Sequence, residues 1–556
     1  MSIMERNEMK SPRQWTGWVC SLLFGVAVLL FFGLVYPHHL HYQEQFQLFL
    51  LDSAYVWDVV KLPGGVADLL GRFCTQFFLY AWVGAFIIAL LLSAVQLLMS
   101  RLVNSQFSIP RSALPLCSAK NSQFLYGLSF VPSFLLWLFL LDENALLGGV
   151  WAVLLTLLVD WLFSYIRFGW ARHILLFVSI PILYWMVGPV CVVFFLLQIM
   201  EAFLQVDKQH AQASNESALI NSGIIKTLPV TLFVVLAFMP ILLSYYLPVP
   251  MEKLWFGVHY YRYPTAFPTL LWTAALSVVV LAVIVSVANY WGNRHTKREP
   301  SESSRFSFLL SPVSFLLIAI VMGILVWRNT NIKAEKVMQY DFMACHQQWN
   351  RILETINVEK PNNQIGVTVQ NLALAMRGML LDQMFNYNQN GIAGLLPDVK
   401  EDATSPLPTA EAFYHLGMIN VAQRTVFEAQ EAILDFQKSG RCYKRLAQTN
   451  LINGNYEVAR KYLVALQKTL FYREWANETL SLLGDEEAIA NHPEYGRLRK
   501  MAYKDDFYFS DHVTSEMLQN LYFVNTDNRL AYQYLIAYYV LTGDREGLNQ
   551  FMSIKR

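Results

Sequence analysis

The stretch "HILLFVSIPILYWMVGPVCVVFFLLQIMEAF", residues 173–203, decides how this chain is threaded through a membrane. About 20 apolar residues are enough for one helix to cross a bilayer, and this run is considerably longer. Gly188 and Pro189 stand near its middle, and both residue types favour a break in a helix. The run therefore fits one long tilted helix, or two short helices, spanning or re-entrant, that meet at Gly188-Pro189.

The charges of the loops favour two short helices. Basic residues cluster before the first apolar run and in the loops at 101–120, 167–172 and 294–305, and the positive-inside rule places all four clusters in the cytoplasm. An even number of crossings must then separate Arg172 from Arg294. Seven other apolar runs are long enough to span, at 15–36, 76–100, 123–141, 145–165, 225–247, 267–291 and 308–327. We therefore predict about nine spans, with a cytoplasmic N-terminus and an extracytoplasmic C-terminal half.

Charge also divides the 556-residue chain into two parts. Hydrophobic residues make up 55% of it, too many for an ordinary soluble protein, yet residues 328–556 hold 50 of the 83 charged side chains. The expected fold class is all-α. We predict a polytopic transmembrane helical bundle over residues 1–327, with an extracytoplasmic amphipathic loop at 37–75, and a soluble α-helical repeat domain over residues 328–556.

Several function classes are disfavoured by the sequence. A net charge of +1 argues against a nucleic-acid binder, which would carry a basic face. The six cysteines form no CxxC pair, so neither a zinc site nor a disulfide framework is indicated, and pairing of Cys345 with Cys442 is the weaker alternative. Walker A, HExxH, GxSxG and dinucleotide motifs do not occur in the sequence, which argues against ATP-driven transport by this chain alone.

The loop after the first apolar run contains the candidate catalytic acids. Residues 43–58 place polar side chains on one broad arc of a helix and apolar side chains on the other, although Leu48 and Leu51 interrupt the polar arc. Such a helix would lie in the membrane interface. Glu44, with Asp52 as the alternative, would then be a partly desolvated carboxylate with a raised pKa, suited to take a hydroxyl proton. The plainer interpretation is that these acids only solvate the helix.

The same loop begins with "HHLH", which brings together three imidazoles at positions 38, 39 and 41. Histidine is a common ligand of divalent metals, so a metal site is one interpretation of this cluster. The favoured interpretation is that His38 and His39 contact a phosphate or the membrane interface. No other cofactor is indicated.

A second outward loop, residues 248–264, contains the candidate phosphate-binding residues. It reads "PVPMEKLWFGVHYYRYP" and sets Arg262 between Tyr261 and Tyr263. A guanidinium can hold a phosphate through two parallel hydrogen bonds while tyrosines stack on a sugar. Lys253 and His259 would assist Arg262, and Arg72 is a weaker candidate for the same role. The alternative is an aromatic belt with an anchoring arginine.

The C-terminal half carries a helical repeat pattern. "YKRLAQTNLINGNYEVARKYL" has the bulky, small and glycine spacings of a tetratricopeptide repeat, with weaker copies near 413–429 and 532–543. The matching positions of the first copy are Tyr443, Leu446, Ala447, Gly454, Tyr456 and Ala459. Stacked repeats of this kind form a surface for a protein or peptide partner. The alternative is that these residues only pack helices together.

The whole plan resembles an uncharacterised family of bacterial integral membrane proteins known as a domain of unknown function. More loosely, it is similar to GT-C-type glycosyltransferases, in which a first span leads into an outer loop with amphipathic helices and a catalytic acid. The matching features are Glu44 after the first span, the interfacial helix and the repeats, although "YQEQ" offers one acid where those enzymes have a pair. The resemblance implies a multi-pass protein of the bacterial inner membrane that uses a polyprenyl-phosphate-linked sugar.

Two functions follow as hypotheses. The first is a membrane glycosyltransferase in which Arg262 holds the lipid phosphate, Glu44 activates an acceptor hydroxyl and the repeats dock the acceptor. The second is a non-enzymatic envelope scaffold or assembly factor, whose repeats bind a protein partner and whose spans serve as anchor.

Overall fold

The computed structural model describes residues 12–106, 127–166, 169–210, 233–257, 259–263, 266–295, 304–398, 405–434, 437–503 and 514–554. Within these residues all regular structure is helical, apart from one isolated bridge between Ala145 and Tyr261. The chain divides into two compact units. Unit 1 comprises residues 1–40 and 53–331, and unit 2 comprises residues 41–52 and 332–556.

Unit 1 is built largely from apolar helices. In chain order they are α1 (Pro12–Leu30), α2 (Pro37–Glu44, which continues into unit 2), α3 (Ser53–Val60), α4 (Gly65–Thr75), α5 (Ala81–Gln106), α6 (Val131–Phe139), α7 (Leu147–Phe163), α8 (Gly169–Val187), α9 (Val192–His210), α10 (Phe233–Ser244), α11 (Met251–Phe256), α12 (Thr269–His295) and α13 (Ser304–Asn329). Large apolar side chains such as Leu22, Phe86 and Phe177 are more than half exposed on this unit. Lipid-facing helices need such a surface, because lipid tails are as apolar as the side chains themselves.

Four stretches of helix in the described residues are long and apolar enough to cross a membrane. They are Gly17–Val35, Ala81–Val103, Ile174–Ala202 and Thr269–Val287, and a fifth follows if the helix ending at Asn329 is counted with the next one. Helices α7 and α10 are apolar but shorter. Parts of the predicted spans 123–141 and 225–247 lie outside the described residues. The expected total of nine spans therefore stays a prediction.

The segment 173–203 is a helical hairpin. Helices α8 and α9 are joined by a tight turn over Gly188–Cys191, in which Gly188 has a φ of 67°, a left-handed conformation that ends a helix. In one straight helix Arg172 and Glu201 would lie about 43 Å apart. Instead, Arg172 donates to Glu201 Oε1 at 3.1 Å and to Gln198 Oε1 at 2.8 Å. Although Ile174–Ala202 counts as one span by length and composition, two antiparallel helices meet at Gly188-Pro189, as the sequence predicted.

The predicted amphipathic helix over residues 43–58 is wrong. Helix α2 ends at Glu44, residues 47–52 have no regular secondary structure, and α3 begins only at Ser53. The reason is tertiary, because the amide groups of Leu48 and Leu51 donate to carbonyls of residues 438 and 468 instead of closing helical turns. Phe46 and Phe49 are buried in protein and do not lie at a membrane boundary.

Unit 2 is built from short helices. In chain order they are α14 (Ile332–Cys345), α15 (Trp349–Glu359), α16 (Gln364–Met376), α17 (Leu380–Gln383), α18 (Pro406–Leu416), α19 (Ile419–Glu431), α20 (Gly440–Ile452), α21 (Tyr456–Gln467), α22 (Arg473–Ser481), α23 (Glu486–Asn491), α24 (Tyr495–Met501), α25 (Thr514–Val524), α26 (Arg529–Thr542) and α27 (Arg545–Ile554). Helices that follow one another in the chain pack on each other. This holds for each successive pair from α18 to α22. Helix α26 also packs on α16, α17 and α18, so the contacts of unit 2 are not confined to neighbours in the chain.

The repeat-like stretch 443–463 forms the helix pair α20 and α21. Ser439 caps the start of α20 by accepting the amide proton of Cys442 at 3.2 Å. Ala447 and Ala459 are fully buried, as the pattern requires where two helices cross closely. Gly454 does not lie at that crossing: it occupies the turn with a φ of 79°, and a Cβ there would meet nothing within 4 Å. The tetratricopeptide assignment itself stays a prediction.

Candidate functional site

Glu44, the favoured catalytic acid, ends helix α2 in the interior of unit 2. Its side chain is 7% exposed, and the Tyr472 hydroxyl donates to its Oε1 at 3.2 Å. Burial raises the pKa of this carboxyl to about 7, against the smaller lowering effect of the Tyr472 hydrogen bond. A group with this pKa exchanges its proton near neutral pH, which is the property a general base needs. We expected the membrane interface to raise this pKa. In the structure, burial in the protein core raises it.

The residues after Glu44 form an irregular segment that is held by loops of unit 2. We call residues 41–52, which comprise the last turn of α2 and this segment, the strap. The Leu48 amide donates to the Lys438 carbonyl at 2.9 Å, and the Leu51 amide donates to the Lys468 carbonyl at 2.7 Å. These bonds satisfy backbone groups that have no helix or sheet to belong to.

Asp52, the alternative catalytic acid, lies at the end of the strap. The Lys468 ammonium lies 2.5 Å from its Oδ2, and both side chains are partly exposed. The pairing leaves Asp52 with a compensating charge on the surface of unit 2.

A buried network of charges lies next to the strap and was not predicted from the sequence. Arg441 donates to both carboxylate oxygens of Asp341, at 2.6 and 2.9 Å, and to Gln45 of the strap at 3.4 Å. Glu411 accepts from Arg441 at 3.3 Å and from Arg445 at 2.6 Å. Burial alone would raise the pKa of Glu411, but the two guanidinium charges outweigh it and hold the pKa at about 2. The signal in the sequence was weak, because two arginines four residues apart are common on exposed helix faces.

In unit 1, the side chains of Arg72 and His259 both lie close to Asp68, an acid that was not a candidate from the sequence. Asp68 binds the Arg72 guanidinium through both oxygens, with Nε to Oδ1 at 2.9 Å and Nη2 to Oδ2 at 2.7 Å. The His259 Nε2 lies 3.8 Å from Asp68 Oδ2, and Tyr55 accepts from Arg72 at 3.4 Å. The fork that would hold a phosphate is therefore already occupied by a carboxylate. The spacing of Asp68 and Arg72, one helical turn apart on α4, was the available signal.

The remaining candidates of the second loop pack against the turn before α7. The Tyr261 hydroxyl donates to Asp142 at 2.7 Å, and the Arg262 amide donates to the Asn144 carbonyl at 2.9 Å. The Arg262 guanidinium lies 5.9 Å from the centre of the Tyr263 ring. Lys253, on α11, is buried. This loop thus joins two polar clusters of unit 1, one at Asp68 and one at Asp142.

The histidines are divided between the two units. The His39 ring is buried, contacts the Leu140 carbonyl at 3.0 Å and stacks on Tyr36, and burial lowers its pKa to about 4. His38 also lies in unit 1, whereas His41 belongs to unit 2 and stacks on Phe342. In the described part of the chain, no three side chains of the metal-binding types come together.

The candidates are divided between the two units. Arg72, His259, Lys253, Tyr261, Arg262 and Tyr263 belong to unit 1, with His38 and His39. Glu44 and Asp52 belong to unit 2.

Comparison with known proteins identifies the family. Residues 12–556 match the model of a family of unknown function (DUF6057), so the chain belongs to that family. No curated protein and no solved structure matches the chain.

Proposed function

We propose that this member of the DUF6057 family is a membrane-anchored scaffold of the bacterial envelope, which docks a protein partner on the helical stack of unit 2. The observation that carries the proposal is the state of the two candidate catalytic acids. Glu44 is buried against Tyr472, and Asp52 is paired with Lys468. Groups that are used to hold a segment in place fit a structural role.

The charges elsewhere support the same conclusion. Asp68 compensates Arg72, and Asp341 and Glu411 compensate Arg441 and Arg445. Buried charges that are paired and hydrogen-bonded are the usual form of structural networks. The helical stack offers the remaining surface, in keeping with the tetratricopeptide-like pattern.

The proposed location is the inner membrane, with the N-terminus in the cytoplasm and unit 2 outside. The support is the loop charge together with the hairpin of α8 and α9, because a hairpin keeps the number of crossings between Arg172 and Arg294 even. Labelling of single introduced cysteines should find residues 296–303 cytoplasmic and residues 332–556 extracytoplasmic. Labelling of unit 2 from the cytoplasmic side would overturn this orientation.

A partner-capture experiment tests the scaffold. Phe385 and Val358 are 64% and 85% exposed on unit 2, and the hydrogen bond between Tyr387 and Asn357 brings their segments side by side. A Phe385→Asp and Val358→Asp variant is expected to lose crosslinked partners in envelope preparations, whereas Glu44→Gln should retain them. Retention of every partner by the surface variant, with loss in Glu44→Gln, would contradict the proposal.

A glycosyltransferase is the second candidate, and the pKa of Glu44 near 7 is the observation that favours it. In this function Glu44 takes the proton of an acceptor hydroxyl, and Arg262 binds the phosphate of a polyprenyl-linked sugar at the membrane. Three short helices between α1 and α5 fit the outer loop of the GT-C plan.

The two candidates differ in what Glu44→Gln does. Loss of general-base catalysis costs about 10²–10⁴ in rate, so the glycosylated product should disappear at unchanged expression. Native mass spectrometry of the purified protein should then also show a bound polyprenyl lipid. A variant that makes full product would remove Glu44 from the mechanism.

A further inference from the structure

We propose that the strap, residues 41–52, is a built-in peptide ligand of unit 2, which docks exchangeably on the shared end of helices α19 to α22. This inference does not depend on the proposed function. The chain enters unit 2 at His41 and returns to unit 1 at Ser53. The strap is therefore a part of unit 2 that lies between two parts of unit 1 in the sequence.

The docking site lies at the end of unit 2 where the termini of four helices are adjacent. Helix α19 ends at Glu431, α20 begins at Gly440, α21 ends at Gln467 and α22 begins at Arg473. The strap donates main-chain hydrogen bonds to the two loops at this end, at the carbonyls of Lys438 and Lys468. It is bound as an extended peptide is bound, through main-chain bonds that fix its register.

Consecutive buried side chains anchor the strap, because residues 43–49 are all buried. Leu48 packs into a buried cluster with Tyr443, Ala447, Leu463, Leu466 and Ala476, and Leu50 packs against the same cluster. Phe46 packs with Ile433 in another. Leu51, on the other side, is 47% exposed. Gln47 and Phe49, which lie between these anchors, are buried as well.

The apolar side chains of the strap lie outside the main hydrophobic cluster of unit 2. The large hydrophobic cluster that holds the unit together runs from Tyr340 to Phe551 and contains no strap residue. The clusters with Leu48 and Phe46 are small and separate. Withdrawal of the strap would therefore leave the main core in place and uncover an apolar site, which is the behaviour expected of a bound ligand.

The test uses the full-length protein in detergent and a fluorescent peptide of the strap sequence, HYQEQFQLFLLD. In wild type the strap occupies its own site and excludes the peptide. Leu48→Asp should weaken the strap and let the peptide bind saturably, at least tenfold more tightly than to wild type. Leu51→Asp is the matched control, since Leu51 is half exposed, and should behave as wild type. A peptide that carries Leu48→Asp should bind to none of these proteins.

A charge-reversal variant provides a second test in case the Leu48→Asp protein does not fold. Asp52→Lys places like charges at the Lys468 contact and should raise peptide binding, and the double change Asp52→Lys with Lys468→Asp should restore exclusion. Equal binding by wild type and every folded variant, or equal binding of the altered peptide, would overturn the proposal.

Discussion

Glu44 illustrates how the same shift in pKa can arise from two different environments. A carboxylate in a membrane interface and a carboxylate in a protein core both have a raised pKa, because both environments disfavour the charge. The direction of the shift could therefore be predicted from the sequence, but its cause could not. Only contacts with residues more than 400 positions away, above all Tyr472, distinguish the two.

The stability of unit 2 should fall as pH rises, because of Glu44. Its pKa is about 7 in the folded protein against an ordinary value of 4.5, so its contribution is fully present below about pH 4.5 and is lost as pH rises through 7. The groups around it are Tyr472, with Arg441 and Cys345 close to that tyrosine. Glu44→Gln should remove this part of the pH dependence and stabilise the protein at pH 8 by on the order of 2–3 kcal/mol. Chemical denaturation at pH 5 and pH 8 measures it. A variant that is less stable than wild type at pH 8 would contradict the assignment.

The role of Gly454 is to adopt a particular backbone conformation and not to permit close helix packing. The repeat pattern suggests a close helix crossing, at which Gly454→Leu would overpack by about 1–3 kcal/mol, but the site is an open turn with a left-handed φ. Gly454→Leu should instead cost about 1–2 kcal/mol from backbone strain alone. Gly454→Asn is the control and should cost less, because asparagine tolerates this conformation. Thermal unfolding compares the two, and equal losses would argue against strain.

At the scale of elements, the hairpin of α8 and α9 could be predicted from a local signal in the sequence. Gly188-Pro189 interrupts an apolar run that would otherwise favour a single long helix. The strap is the opposite case. Its residues carry an approximate helical periodicity, yet two main-chain bonds to distant loops and the site for Leu48 favour an extended backbone. Tertiary contacts outweigh propensity where a segment is short.

A crosslink tests the hairpin. Arg172→Cys combined with Glu201→Cys should form a short bis-maleimide crosslink in membranes, because the two side chains are hydrogen-bonded in the structure. A continuous helix would separate the two positions by about 43 Å and would prevent the reaction. Each single variant controls for reaction with the native cysteines. Failure of the pair at full accessibility would count against the hairpin.

At the scale of the whole molecule, the separation into units does not follow the order of the chain. The sequence places residues 1–327 in one part and 328–556 in another, and the structure changes unit at Asn331. It also assigns residues 41–52 to unit 2, although the membrane half surrounds them in the sequence. A fragment cut at the apparent boundary therefore lacks one of its own segments.

Two soluble fragments test this arrangement. Residues 332–556 alone should be helical by circular dichroism, because the main core is complete within them. The same fragment with residues 41–52 joined through a flexible linker should melt several degrees higher, since burial of Leu48 and Phe46 contributes a few kcal/mol. A linked strap with Leu48→Asp is the control. Identical melting of all three fragments would show that the strap contributes nothing to unit 2.

The sequence by itself determined the properties that depend on composition and on neighbours in the chain. These are the apolar and the charged halves, the helical character of both, and the break at Gly188-Pro189. Only the tertiary structure decided which charges meet. Arg441 is 100 residues from Asp341 and 396 from Gln45, and pairs at such separations leave no periodic trace. The physical reason is that hydrophobic burial and helix formation act on local patterns, whereas a hydrogen bond or an ion pair depends on where the folded chain brings two particular groups.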